Sequence, residues 1–174
     1  MIKEKKLPGK FGINNGLLLG AAMIIISVFI YANDMAFKNQ QWPTYIYYVV
    51  FPIVIFYTIY RYKIYNDGVL SLRDAMKAGL IAAIISALVY TAYVLLFNFV
   101  IDQEYNLKII DFASDQIALM DAPVEQKELS LKFIKFFTDP INGSLIWIAA
   151  SMFFGLIYSL VAGLIMREKQ KSKT

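Results

Sequence analysis

Neither cysteine nor histidine occurs anywhere in this chain. Their absence removes disulfides, thiolate nucleophiles, Cys/His zinc sites and the commonest near-neutral proton shuttle together. Charge is missing from two long stretches: Ala78 to Ile101 and Ile141 to Met166 contain no Asp, Glu, Lys or Arg. Ionisable residues inside a membrane are the usual mark of proton relays and ion pathways, so a proton-coupled pump is not expected. Also missing are a Gly-rich phosphate loop, a Ser/Lys dyad and an acidic pair placed for catalysis. Nor does the chain carry the paired, interrupted segments of inverted-repeat transporters. The expectation is a protein that is not an enzyme and holds no cofactor.

What the chain has in abundance is apolar side chains: 59% of its 174 residues are hydrophobic and 16% are aromatic. About 20 consecutive apolar residues cross the roughly 30 Å hydrocarbon core as a helix. Four stretches qualify, at about 11–32, 42–60, 78–101 and 141–166. A soluble protein of this length has too little interior to bury four helices on every side. The first stretch follows Lys3, Lys5, Lys6 and Lys10, as a signal peptide would. Ile30, however, occupies a position where cleavage before residue 33 would need a small residue, and the stretch is retained as a span. The fold expected is all-α: an integral membrane four-helix bundle in one domain over 1–174, with an outer loop at 102–140 that carries two amphipathic helices.

The net charge of +4 matters less than its placement. Of the 17 basic residues, 12 fall in the terminal segments and the 61–77 loop, and five in the two other loops. Excess Lys and Arg mark the cytoplasmic side, which places both termini inside and the acidic 102–140 loop outside. Topology accounts for the basic residues without nucleic acid as a partner.

Helices associate in lipid through small residues that let backbones approach. Gly12, Gly16 and Gly20 recur every four residues on the first span. Ala75, Gly79, Ala83, Ala87 and Thr91 do so on the third, and Ser151, Gly155, Ser159 and Gly163 on the fourth. The second span has no Gly, Ala or Ser between Trp42 and Tyr60. It is expected at the edge of the bundle, kinked at Pro52. Its end tyrosines, Tyr45, Tyr47 and Tyr48 and then Tyr57, Tyr60, Tyr62 and Tyr65, form an aromatic belt. Asn66-Asp67-Gly68 signals a turn, and Ser71 with Asp74 a capping box opening the third helix.

In the outer loop, Tyr105, Ile109, Phe112, Ala113, Ile117 and Met120 share a helical face. After the Asp121-Ala122-Pro123 start signal, Leu129, Phe133, Ile134, Phe136 and Phe137 form a second apolar face, opposed by Glu125, Glu128, Lys132 and Lys135. Both helices are expected on the outer membrane surface or capping the bundle. Asp139-Pro140 caps the fourth span. Asn98 and Asn142, near the outer ends of adjacent spans, are candidates for a mutual hydrogen bond, a lipid-headgroup contact or plain interhelical adhesion. Asp111 and Asp115, one turn apart, read as a solvated acidic face rather than a cation site. Asn142-Gly143-Ser144 has the form of a glycosylation acceptor but sits at a span start, out of an enzyme's reach.

Three segments together resemble a known bacterial family of small four-span membrane proteins, domain of unknown function 4199. They are Asp67-Gly68-Val69-Leu70-Ser71-Leu72-Arg73-Asp74-Ala75-Met76-Lys77-Ala78-Gly79-Leu80, the ending from Gly155 to Met166, and Asn15-Gly16. The resemblance runs from about Asn15 to Lys169. It implies four spans, a polar helical loop between the third and fourth, and a bacterial cytoplasmic membrane. The family has no assigned reaction or ligand, so no site residue follows from it.

The residues thus point to a structural or accessory protein that binds another membrane protein, itself or lipid. The alternative is a small transporter or passive channel for an uncharged or lipid-like solute. The residues proposed for a partner or lipid are Asn98, Asn142, Phe133, Ile134 and Phe137.

Overall fold

The computed structural model describes residues 7–38 and 42–167. Lys3, Lys5, Lys6, Lys169, Lys171 and Lys173, which weigh in the charge bias, lie outside the described residues. Among those described there is no strand. Six helices follow one another: α1 (Pro8–Ala32), α2 (Trp42–Tyr65), α3 (Leu72–Leu96), α4 (Tyr105–Ala118), α5 (Val124–Thr138) and α6 (Pro140–Met166). A π turn, Phe97–Ile101, extends α3 without a break. Four of these helices, α1, α2, α3 and α6, are long and apolar enough to cross a membrane.

The local signals act as their chemistry requires. The Ser71 hydroxyl accepts the Asp74 amide at 3.1 Å and donates to the Asp74 carboxylate at 2.8 Å, which starts α3 six residues before the charge-free run. Asp139 accepts the Ile141 and Asn142 amides at 3.1 and 2.8 Å, with Pro140 opening α6. Asp67 and Gly68 both take positive φ, 53° and 85°, and reverse the chain between α2 and α3. The helix α2 runs on to Tyr65, five residues past the expected end, and continues through Pro52.

Helix α3 is the centre. Its backbone comes closest to α1 on one side and to α6 on the other, because all three carry small residues where they meet. The expected peripheral place of α2 needs correction. Phe51, Ile55, Thr58, Ile59 and Tyr62 are buried, most of them completely. This helix stands off its neighbours by the length of its side chains and fills the core with them. The apolar core is Leu19 and Met23 of α1, Ile55 and Ile59 of α2, and Ala75, Ala78, Ala82 and Ala83 of α3. Tyr47 and Tyr62, expected in the aromatic belt, turn inward instead, whereas Tyr45, Tyr48, Tyr57 and Tyr60 face outward.

Candidate functional site

The glycine positions show how closely the backbones approach. A Cβ built at Gly12 would lie 2.6 Å from the Ala78 carbonyl, and at Gly16 2.7 Å from that of Ala82. At Gly20 it would meet Val89 at 2.8 Å. On the α3–α6 side, Gly79 faces Ser159, Gly155 faces Ala83, and Gly163 faces Leu72 and Ala75 at 2.8 and 2.9 Å. Ala83, Ala87, Ser151 and Ser159 are buried in the same seam. These residues hold helices together and leave no room for a ligand among them.

Above this seam the packing changes character. Ser27 of α1 lies 2.8 Å from the hydroxyls of both Tyr47 (α2) and Tyr90 (α3), and Tyr47 reaches the Met23 carbonyl at 3.3 Å. The rings of Tyr47 and Tyr90 rest on Trp147 of α6, centroids 6.4 and 5.5 Å apart. This polar and aromatic layer closes the apolar core and joins all four long helices. Outside it lies a chamber of about 280 Å³, walled by Tyr90, Thr91, Val94 and Asn98 of α3, by Asn106 and Ile109 of α4, by Phe137 to Pro140, and by Gly143, Ser144 and Trp147 of α6. A second chamber of about 250 Å³ shares Tyr90, Val94, Asn98 and Asn106 and extends to Ser27, Tyr31 and Tyr105.

Four side-chain atoms are buried without a hydrogen-bond partner among the described residues: Thr91 Oγ1, Asn98 Oδ1, Ser144 Oγ and Trp147 Nε1. All four belong to residues that line the first chamber, although the atoms themselves are covered. Three other buried hydroxyls on the long helices turn back to their own backbone. Thr58 donates to Val54, Ser86 to Ala83 and Ser159 to Gly155. Asn98 and Asn142 do not pair. The Asn98 amide nitrogen donates to the Val94 carbonyl at 2.8 Å, which leaves its oxygen as the free acceptor. Asn142 is held by the Asp139 cap and is not part of the chamber wall.

Helices α4 and α5 border the chamber. Tyr31, Phe97 and Tyr105 meet edge to face with centroids 4.8 to 5.4 Å apart, and Phe37 packs on Tyr105 and Phe112. The Tyr31 hydroxyl donates to Asp102 at 3.1 Å, at the end of the π turn. Burial, followed by the neighbouring Tyr93 and Tyr31, raises the pKa of the Tyr105 hydroxyl above its ordinary value. Asn106 of α4 donates to the Thr138 carbonyl at 2.8 Å. Lys127 of α5 donates to the Ala118 carbonyl at 2.9 Å. A Cβ at Gly143 would lie 2.6 Å from the Phe137 carbonyl, so α6 opens tight against the end of α5. This close approach is the role the structure gives to the centre of Asn142-Gly143-Ser144.

On α5 the rings of Phe133 and Phe137 stack, Phe136 meets Phe137 edge to face, and all three are half exposed, as is Leu129. Ile134 is partly covered. Met120, expected on the apolar face of α4, is 55% exposed just beyond the helix. Among the described residues no three acidic side chains converge to hold a metal. The sequence reading missed Ser27, Tyr47, Tyr90, Asn106 and Trp147 as parts of one site. A usable signal was the crowding of hydroxyl, amide and indole groups toward the end of the spans that adjoins the 102–140 loop.

Long apolar helices packed through small residues, with two amphipathic helices between the last two, define an all-helical protein with four candidate membrane spans. No curated protein matches the chain, and no solved structure does. The family description Protein of unknown function (DUF4199) matches residues 14–168, and the chain belongs to that family.

Proposed function

We propose that this chain is a non-enzymatic, multi-pass accessory protein of the bacterial cytoplasmic membrane, with both termini cytoplasmic, that engages lipid of the outer leaflet through α5. The observation that carries this reading is the half-exposed Leu129, Phe133, Phe136 and Phe137 face. It is continuous with the exposed Ile141 and Leu145 at the start of α6, where the first turns of that span meet lipid. On the adjoining stripe of the helix Glu125, Glu128, Lys132 and Lys135 are exposed. An amphipathic helix of this kind lies in the interface plane with its rings at the acyl boundary. The orientation rests on the basic bias of the loops.

The transporter reading has the outer chambers in its favour. Beneath them, however, Leu19, Met23, Ile55 and Ile59 fill the interior completely, which favours the accessory role over a pore.

Single cysteines test both parts, since the chain has none of its own. A cysteine replacing Asp115 should react with an impermeant reagent in intact cells; reaction only after permeabilisation reverses the topology. A nitroxide at 133 should be relaxed by oxygen dissolved in lipid, and one at 132 by a water-soluble nickel chelate. Equal water exposure at both positions would remove α5 from the membrane surface.

A further inference from the structure

We propose that the outer chamber is a binding site for an uncharged, hydroxyl-rich group, about the size of a single sugar ring or a glycerol headgroup. Four partnerless polar atoms, each on a residue of one wall, are the principal observation. Each buried donor or acceptor left unpaired costs about 1–3 kcal/mol, and native proteins tolerate few of them. Here they gather around one space, and they are of mixed kind. Asn98 offers an acceptor, Trp147 a donor, and Thr91 and Ser144 hydroxyls that serve as either. A ligand bearing several hydroxyls would satisfy those that turn toward it, because each hydroxyl both donates and accepts.

The wall also discriminates by charge. Among the described residues that line it there is no Lys or Arg, and Asp139 is present. An anionic phosphate or carboxylate would be desolvated without a cation to pair it. A cation would face the indole N–H of Trp147, and the Asp139 Oδ1 is already engaged by two amides. Tyr90, Trp147 and Phe137 supply aromatic wall to this partly open chamber, as aromatic side chains commonly do in small-molecule sites.

Size sets a limit. Pockets for whole small molecules run from about 300 to 1,000 Å³; this one, at about 280 Å³, suits a headgroup or a single ring. The same group can come free from the outer aqueous phase or attached to a lipid. On the other side of Trp147, an apolar groove between α2 and α6 is lined by Phe51, Pro52, Phe154 and Tyr158 and could receive an acyl chain. Of the α5 face only Phe137 belongs to the chamber wall, while Leu129, Phe133 and Phe136 do not, so either reading can fail without the other.

The chain has two tryptophans. Trp42→Phe leaves Trp147 as a fluorescent reporter in the wall. This protein, in phosphatidylcholine nanodiscs, is titrated with monoglucosyl diacylglycerol in the bilayer, and separately with glucose, glycerol or inorganic phosphate in solution. A saturable change with the glycolipid alone assigns a lipid-borne group. A change with glucose or glycerol assigns a free one. Either must weaken at least tenfold in Thr91→Val/Ser144→Ala, a loss that corresponds to about two neutral hydrogen bonds. If that variant does not fold, Thr91→Val alone should weaken binding about threefold or more. The proposal is overturned if none of the uncharged probes gives a saturable response. It is equally overturned if the response survives the substitutions unchanged, or if phosphate binds in preference to the uncharged probes. Ordered water would then be what satisfies the wall.

Discussion

One methyl group added at Gly16 should pry α1 from α3. A Cβ there would stand 2.7 Å from the Ala82 carbonyl oxygen, 2.8 Å from Ile85 Cβ and 3.1 Å from Ala82 Cα. Two of these three atoms are backbone, so no rotamer change relieves the contact. Ordinary contact begins at 3.4 Å, and the carbonyl must recede by about 0.7 Å (3.4 minus 2.7). A gap of that size along a seam forfeits roughly a quarter to a half of each neighbouring dispersion contact, and overpacking costs about 1–3 kcal/mol. Alanine returns up to about 1 kcal/mol through helix propensity. The net loss expected for Gly16→Ala is therefore up to about 2 kcal/mol. At about 2–4 °C per kcal/mol for a chain of this size, the midpoint in mild detergent should fall by up to about 8 °C. Gly9→Ala is the control, the same chemical change on the same helix. Its Cβ would meet only the Ile81 Cδ1 tip, at 3.1 Å, and its midpoint should stay put or rise. Equal midpoints for the two variants, or a larger loss at Gly9, would refute the backbone-contact reasoning.

The α3–α6 seam invites a compensation test: Gly155→Ala should lower the midpoint because its Cβ meets that of Ala83, and adding Ala83→Gly should restore most of the loss. On α2, Ile53→Leu should change stability by less than about 0.5 kcal/mol, since Ile53 is 59% exposed. Ile55→Ala, two residues on and wholly buried, should cost about 2–5 kcal/mol in an SDS titration. Tyr47→Phe removes the hydroxyl shared with Ser27 and the Met23 carbonyl and should cost about 1 kcal/mol. Indistinguishable losses at 53 and 55 would show that α2 does not contribute to the core.

The sequence by itself determined the helices. Run length, missing charge, the Ser71-Asp74 box and the Asp139-Pro140 start are local properties, and each acts within one or two turns of chain. It also determined the seam, because a four-residue repeat of Gly12, Gly16 and Gly20 stays on one face of any helix. Composition misled on α2. The absence of small residues was read as remoteness, yet a helix of large side chains can reach the core from further away, as Ile55, Ile59 and Tyr62 do. The tyrosines near its ends looked alike in sequence. Only the rotation of α2 about its axis separates Tyr47 and Tyr62, turned inward, from Tyr45 and Tyr48, turned outward. Which polar groups meet around the two chambers was beyond the sequence. Ser27, Thr91, Asn98, Asn106, Ser144 and Trp147 come from four helices, and hydrogen bonding depends on distances that no spacing within one helix encodes. Which hydroxyl finds its own carbonyl and which is left facing its neighbours is decided when α1, α3, α4 and α6 close on one another.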